Sequence, residues 1–296
     1  MGKKNFYESL TRKEILSEIT KKKEFKDLPK KDVELVYLQF EKKDLLVEEK
    51  IKSTRDLLRK MYTAFVSEKL LNIKDKEADW FLKKHISTRE RLDFYEEVYE
   101  KCLSGMEEIF SKTITPKIAT RPVPPDSEKI SNKINTKELS VVDFGSGING
   151  FSYGYFKKVG FKVDYVGIEP VGQLVNLQNN YFKKNKISEA KCVKASLFDL
   201  EEIKKIVSET KIPRVGFFFK VLDSLEMFKR NYSKEVLKEL VPFFDRCIVS
   251  WATSSLVSKK KFHAERKWLK DFIDKEFFIL DEFEIGSENY LVFSKK

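Results

Sequence analysis

The sequence predicts an α/β fold in which a mostly parallel, seven-stranded β-sheet carries helices on both faces and follows an N-terminal helical domain. From residue 138 onward, short apolar runs alternate with amphipathic segments, as expected when helices connect parallel strands. The residues before that point repeat apolar side chains at helical spacing. A glycine-rich turn directly follows the first predicted strand, and sheets of this kind bind their ligands beyond such strand ends.

The composition indicates a folded protein with an anionic partner. The chain has 296 residues, enough for one large or two smaller domains, and its formal net charge is +11. Aromatic residues make up 13% of the chain, which argues against disorder. The positive charge favours a nucleic acid, although an ordinary lysine-rich surface would give the same excess.

The cysteines and the apolar runs exclude several other classes of protein. Three widely spaced cysteines and two histidines predict neither a disulfide framework nor a metal site. The first residues lack an apolar leader region, and no apolar run reaches membrane-spanning length. We therefore expect a cytoplasmic monomer that works without a metal ion and away from membranes.

Residues 1–112 are predicted to form a helical domain that docks on RNA. Thr11 can cap a helix that carries Ile15 and Ile19, and Val33 and Val36 continue the helical spacing. The candidate RNA contacts are basic residues of this domain and a later lysine run: Lys21, Lys22, Lys23, Arg55, Arg59, Lys60, Lys259, Lys260 and Lys261. Solvated helix ends would explain the same clusters, so RNA binding is here a hypothesis.

A long helix is expected to begin near Ser87. This residue stands three positions before Glu90, which is the spacing of a capping box. The spacing places Arg91 in the first turn, where the helix dipole disfavours a cation. We therefore expect Arg91 to serve a carboxylate of a partner or ligand.

Residues 113–137 are predicted to be a semi-rigid linker, because four prolines lie among polar residues there. Residues 138–296 then form the α/β domain. Its first five strands are expected near residues 140–144, 163–168, 191–195, 214–219 and 246–251. Residues 277–283 and 290–293 flank a Gly-Ser turn and predict a closing antiparallel hairpin.

The turn after the first strand predicts a ligand site. The apolar run ends at Asp143 and is followed by Gly145 and Gly147, which can adopt positive φ and let the backbone approach a ligand. The spacing Asp-x-Gly-x-Gly resembles the first motif of class I S-adenosylmethionine (SAM) methyltransferases. Gly150 would also complete a dinucleotide-type motif, but an acid before the loop would repel a pyrophosphate. An ordinary strand–turn–helix connection is the alternative.

Residues at the ends of the next strands extend this site, since the carboxyl ends of parallel strands share one edge of the sheet. Glu169 ends the second strand and is placed to accept both hydroxyls of a ribose. Ser196 and Leu197 follow the third strand, where a polar side chain and a backbone N–H could read an adenine edge. Lys220 and Val221 stand at the mouth of the fourth.

Four motifs occur in a recognisable order along the chain. They are His85 to Arg91, Phe144 to Asn149, Phe219 to Leu222 with Leu225-Glu226, and Val249 to Trp251 with Ser254 to Leu256. Their order and spacing resemble the Arm/Rmt/FmrO family of ribosomal RNA methyltransferases over nearly the whole chain. The resemblance implies methyl transfer from SAM to N7 of a guanine in the decoding region of small-subunit rRNA, the modification that gives aminoglycoside resistance. The implied partner is the rRNA or the assembled small subunit.

The resemblance also implies roles for individual residues. In that family the arginine of a Ser-Thr-x-Glu-Arg motif contacts the methionine carboxylate of SAM, and here this arginine is Arg91. The candidate SAM-binding residues are Thr88, Arg91, Asp143, Gly145, Ser146, Gly147, Glu169, Pro170, Ser196, Leu197, Lys220 and Val221. The chain departs from the family at Glu169, where Asp is usual, and at Ser196, where an acid is usual. Trp251-Ala252 also replaces a Phe-Pro pair.

The chemistry at guanine N7 needs few catalytic groups. N7 carries an in-plane lone pair and no proton, so transfer requires in-line placement and no obligatory general base. Two substrate-positioning residues are expected: Lys220, to hold a carbonyl or phosphate, and Trp251, to stack on an extruded base. A strand-end charge cap and a packed aromatic at the rim are the structural alternatives. A methyltransferase for another RNA such as tRNA, and a non-catalytic ribosome-binding factor, are the alternative functions.

Overall fold

The N-terminal part of the protein is helical. The computed structural model describes residues 7–63, 76–106, 109, 137–253 and 266–296. The helices of the N-terminal part are Arg12–Thr20, Lys30–Glu41, Val47–Leu58, Ala78–Leu82, Ile86–Arg91 and Tyr95–Leu103. Thr11 caps the first helix in a capping box with Glu14, which confirms the predicted start. The predicted linker at 113–137 lies outside the described residues except for its last position.

The structure corrects the prediction for the segment that carries Arg91. Helix Ile86–Arg91 is short, a 3₁₀ turn follows it at Leu92–Phe94, and a separate helix begins at Tyr95. The Ser87 hydroxyl bonds His85 Nδ1 at 2.7 Å and makes no cap. Arg91 therefore lies in the last turn of its helix, where the dipole favours a cation. The expected conflict with the helix dipole does not exist.

The α/β part contains one seven-stranded sheet, as predicted. The strands are β1 (Glu138–Phe144), β2 (Lys162–Glu169), β3 (Ala190–Lys194), β4 (Arg214–Phe219), β5 (Arg246–Ala252), β6 (Phe277–Ile285) and β7 (Glu288–Lys295). Their spatial order is β3-β2-β1-β4-β5-β7-β6, and the pairs among β1 to β5 are parallel. The final strand inserts between β5 and β6 and runs antiparallel to both.

Helices cover the sheet and connect its strands. Their bounds are Tyr153–Lys158, Gly172–Lys184, Leu200–Ser208, Leu222–Phe228, Tyr232–Leu240 and Lys267–Glu276. The strand order reverses between β1 and β4, so the loops after these neighbouring strands diverge and leave a crevice at the carboxyl edge. No helix among the described residues is long and apolar enough to cross a membrane.

The N-terminal helices pack on the sheet part through a common hydrophobic core. One cluster of buried residues contains Ile19 and Val36 of the helical part as well as Val141 and Phe217 of the sheet. Aromatic pairs join the two parts, and the rings of Phe81 and Phe151 stack with their centroids 4.2 Å apart. The helical part therefore forms one wall of the crevice. The domain boundary at residue 112 lies outside the described residues and stays a prediction.

Candidate active site

A cavity of about 310 Å³ lies at the carboxyl edge of the sheet, between the strand ends and the N-terminal helices. It collects most of the predicted SAM-binding residues from distant parts of the sequence: Thr88, Arg91, Asp143, Gly145, Ser146, Gly147, Glu169, Pro170, Leu197, Lys220 and Val221 line it. Ser196 stands directly beside this wall and does not line it. The predicted cluster thus forms around a space that a small ligand can enter.

The glycine turn and Glu169 build the floor of the cavity. Gly145 has φ +64°, and a Cβ at this position would lie 2.5 Å from Cγ2 of Val221. The backbone N–H groups of Gly147 and Val171 each donate to a carboxylate oxygen of Glu169, both at 2.9 Å. Burial nevertheless raises the pKa of Glu169 to about 7. These two N–H groups therefore orient an acceptor that titrates near neutral pH.

Asp143 stands beside this turn at the end of β1. Its Oδ2 atom accepts hydrogen bonds from Asn149 Nδ2 and from the Tyr165 hydroxyl, both at 2.8 Å. Burial raises the pKa of Asp143 to about 6, and the two donors and Arg91 oppose that rise. Asp143 fixes the loop by binding Asn149, a residue of the quoted motif to which the sequence analysis gave no role.

Arg91 reaches the cavity from the end of its short helix and is almost fully buried. Its guanidinium donates to Glu288 Oε1 at 2.7 Å, to the Tyr290 hydroxyl at 3.0 Å and to Asn149 Oδ1 at 3.1 Å. It also lies 4.6 Å from the centroid of the Phe219 ring, at cation–π distance. The carboxylate that Arg91 meets in this structure is therefore Glu288, at the start of β7.

Lys220 follows β4 in a strained conformation. Its φ is +55°, which is unfavourable for a residue with a side chain. The ammonium lies 3.1 Å from carboxylate oxygens of both Glu90 and Glu288. Burial alone would raise the pKa of Glu288, but Arg91 and Lys220 more than offset burial, and that pKa is lowered. Glu288 thus joins the two predicted cations of the site.

The opposite end of the cavity lies near β3 and is closed by the N-terminal helices. The Ser196 hydroxyl donates to Asp32 Oδ1 at 2.5 Å, and the Tyr62 hydroxyl donates to Asp32 Oδ2 at 2.6 Å. Asp32 and Tyr62 both line the cavity, with Leu197 and Phe198 beside them. Sequence reasoning missed this contribution because Asp32 is 164 residues from Ser196.

The expected stacking role of Trp251 is wrong for this structure. Its side chain is only 2% exposed and packs in the hydrophobic core under helix Lys267–Glu276. Neighbouring side chains on a strand point to opposite faces, and Ser250 already faces Glu288, to which its hydroxyl donates. A ring held on the other face cannot reach a base in the cavity.

Some of the predicted RNA contacts have exposed side chains, whereas others bind residues of the protein itself. Lys21, Lys22, Lys23 and Lys60 are exposed, and Lys60 also lines the cavity. Arg55 instead donates to the backbone carbonyls of Glu18 and Ile19, and Arg59 pairs with Glu24 and Asp56. These two arginines hold the helices together. Lys259, Lys260 and Lys261 lie outside the described residues.

Several further residues belong to the site although the sequence analysis gave them no role. Asp32, Tyr62, Glu288 and Tyr290 were outside its motifs, whereas His85 and Asn149 stood in two of the quoted motifs. Burial lowers the pKa of His85 to about 4, so this imidazole is neutral at pH 7. A signal existed for Asn149, which lies in the glycine turn, and for Glu288, an acid that starts an apolar strand. Within the described ranges, no group of three His, Cys, Asp or Glu residues could hold a metal ion.

Solved structures of similar fold exist, whereas the comparisons of sequence found no match. No protein-family model matches the chain, and no curated protein matches it in sequence. The 16S rRNA methylase RmtB superposes with a TM-score of 0.68 at 17% identity, over 96% of this chain and 98% of that one. An rRNA methylase from Escherichia coli gives 0.65 at 18% identity, over 96% and 99%.

The 16S rRNA methyltransferase RmtF in complex with S-adenosyl-L-homocysteine also gives a TM-score of 0.65, at 16% identity, over 97% of this chain and 100% of that one. The similarity thus spans the helical part as well as the sheet. The chain therefore has the fold of these rRNA methylases, in agreement with the fold that the sequence predicted.

Proposed function

We propose that the protein is a SAM-dependent methyltransferase that methylates N7 of a guanine in small-subunit rRNA. One observation carries the proposal: Arg91, Gly145 and Glu169 come from three separate stretches of sequence and line one cavity at the carboxyl edge of the sheet. The fold supports the same reading, since the similar structures named above are rRNA methylases.

The residues of the cavity fit SAM. Glu169 offers carboxylate oxygens for a ribose diol, and the turn at Gly145 leaves no room for a Cβ. Arg91 uses three of its five N–H groups on Glu288, Asn149 and Tyr290, which leaves two for the carboxylate of the ligand. Arg91 would therefore hold the amino-acid end, and Glu169 the ribose, of a ligand in the cavity that both residues line.

The charge of the cavity suits a sulfonium ion. Three buried carboxylates, those of Asp32, Asp143 and Glu169, line it. Arg91 and Lys220 also line it, and both pair with the buried Glu288, while Lys60 at the cavity is exposed. Opposite charges in a site of low polarity attract more strongly than they do in water. The whole chain carries a formal net charge of +11, so this acidic interior is a local property of the site.

The chemistry is methyl transfer from a sulfonium sulfur, which SAM supplies when it is bound. The protein then has to place the lone pair of guanine N7 in line with the methyl group and exclude water. Lys220 lies at the mouth of the cavity, and Glu90 and Glu288 fix its ammonium. We propose that it helps to position the substrate. A general base is not needed, because N7 has no proton to lose.

The test has two stages. Calorimetric titration with SAM should give binding in the micromolar range, and Glu169→Ala should weaken it.

In the second stage, isolated small subunits, naked 16S rRNA and tRNA are incubated with methyl-labelled SAM. The modified base is then mapped by the strand scission that N7-methylguanosine permits. We expect label at one guanine of the small subunit. Label in tRNA would favour the other RNA substrate, and absence of SAM binding would favour a ribosome-binding factor.

A further inference from the structure

Helix Lys30–Glu41 and the end of β3 meet at a junction to which each contributes a polar side chain. Sequence analysis found Ser196 after β3, at a position where an acid was expected. In the structure a carboxylate is present there, but it belongs to Asp32 of the N-terminal helix, 2.5 Å from the Ser196 hydroxyl. The helical part thus delivers an acid to the place that the sheet leaves without one.

The position of Glu169 indicates which part of a nucleoside would meet Asp32. Glu169 ends β2 and faces the ribose, and β3 is the next strand outward on that side of the sheet. A base attached to that ribose then lies near the β3 end. The lining residues there include the apolar side chains Leu174, Leu197 and Phe198, which suit the faces of a base.

The Asp32 carboxylate has capacity for another donor. Its two oxygens offer about four acceptor positions, and the hydroxyls of Ser196 and Tyr62 use one on each oxygen. Asp32 lines the cavity, but its side chain is fully covered, and the Tyr62 hydroxyl lies on one of its oxygens. On the inference below, a ligand donor reaches the carboxylate when a covering side chain such as Tyr62 shifts. A buried acceptor of this kind discriminates strongly, because a ligand without the matching donor leaves it uncompensated.

We propose that Asp32 reads the base of the cofactor, by accepting a hydrogen bond from the exocyclic amino group of adenine. This proposal rests on the proposed function and adds to it a specificity-determining residue from the N-terminal helices. Ser196 and Tyr62 are then positioning residues that aim the carboxylate. The helix that carries Asp32 also carries Lys30 and Lys31, so base recognition and the basic surface share one element.

The test compares two ligands that differ only at the base. S-adenosylhomocysteine has an amino group at purine C6, and S-inosylhomocysteine has a carbonyl oxygen there, which the carboxylate would repel. By calorimetry, the wild-type protein should prefer the adenine ligand about 100-fold or more. Asp32→Asn keeps the side-chain shape and can donate to the carbonyl, so we expect the preference to fall at least about tenfold.

Two matched variants separate recognition from simple packing. Gln39 lies on the same helix and donates to the Phe228 carbonyl at 3.1 Å, but it does not line the cavity. Gln39→Ala should therefore leave the preference unchanged. Tyr62→Phe keeps the ring and removes one of the two hydroxyls that aim the carboxylate, so it should reduce the preference about threefold.

The outcomes are distinguishable. If folded Asp32→Asn keeps the wild-type preference and loses only thermal stability, Asp32 is a structural anchor and the inference is wrong. Should Asp32→Asn fail to fold, Ser196→Ala decides, because misaiming the carboxylate should reduce the preference about threefold or more. A wild-type protein that binds neither ligand would instead contradict the proposed function itself.

Discussion

At the scale of single residues, the groups that contact each buried carboxylate of the site determine whether its pKa is raised or lowered. Glu169 and Asp143 accept only neutral donors, and burial raises the pKa of each. Glu288 is equally buried, but it contacts Arg91 and Lys220, and its pKa is lowered. Neighbouring acids of one site therefore titrate in different pH ranges.

Cofactor affinity should depend on pH because of Glu169. Its pKa of about 7 means that protonation removes an acceptor for the ribose as the pH falls. The ionised fraction changes from about 0.9 at pH 8 to about 0.1 at pH 6, so affinity for SAM should fall about tenfold over that range. Calorimetry at pH 6, 7 and 8 measures it.

Glu169→Gln is the control for this pH dependence. The amide does not titrate, so the variant should bind weakly with a flatter profile; Asp143, with a pKa of about 6, accounts for a residual slope. A wild-type affinity that is constant from pH 6 to pH 8 would contradict the assignment of Glu169 to the ribose.

Gly145→Ala should reduce SAM binding and stability together. The new Cβ would lie 2.5 Å from Val221 Cγ2 on a backbone with φ +64°, and this strain should cost about 1–3 kcal/mol of unfolding free energy. Gly154 is the matched control, since it lies inside helix Tyr153–Lys158 with no atom within 4 Å of its Cβ position. Gly154→Ala should be neutral or stabilising by up to about 1 kcal/mol. Chemical denaturation compares both variants with the wild type.

At the scale of elements, the Arg91–Glu288 pair ties the short helix Ile86–Arg91 to β7. Arg91→Gln would leave a buried carboxylate with only Lys220 and Ser250 for compensation, and we expect a loss of about 3 kcal/mol in denaturant unfolding. Arg91→Gln combined with Glu288→Gln should recover part of that loss. Lys162→Gln breaks the exposed Lys162–Glu138 pair and should leave the unfolding midpoint nearly unchanged. Equal effects of the two single substitutions would contradict the role of burial.

Lys21, Lys22 and Lys23, which follow the helix Arg12–Thr20, should act in RNA binding through charge. Each phosphate contact contributes about 0.7–0.9 to the slope of log affinity against log salt, so replacing all three by Gln should lower the slope by about 2. A control with three exposed lysines of the sheet part, Lys157, Lys183 and Lys191, changes the charge equally. Titration of 16S rRNA at several salt concentrations measures both. Equal losses would indicate a general charge effect.

At the scale of the whole molecule, the helical part and the sheet part should unfold together because they share one core. Phe81 is 3% exposed and stacks on Phe151 across their boundary. Phe81→Ala should cost about 3–5 kcal/mol and lower the midpoint seen by circular dichroism and by tryptophan fluorescence alike. Two separate transitions in the wild-type protein would show that the parts are independent domains.

The sequence predicted the sheet well, because local pattern controls the existence of strands and turns. Apolar runs bounded by turn residues placed all seven strands within a few residues of their observed bounds, and Thr11 marked a helix start. The prediction that a long helix begins near Ser87 is wrong for a physical reason. The Ser87 hydroxyl pairs with His85 Nδ1 instead of capping a helix, and the chain forms a 3₁₀ segment after Arg91.

The sequence by itself determined the strand order along the chain, the glycine turn and the acid at Glu169, since each depends on residues that are neighbours in sequence. Only the tertiary structure decided that Glu288 is the partner of Arg91, that Asp32 stands beside Ser196 and that Trp251 faces the core. The physical reason is that hydrogen bonds and burial act across space. Arg91 lines the cavity and bonds Tyr290, which is 199 positions away in the sequence, and no local pattern records such a contact.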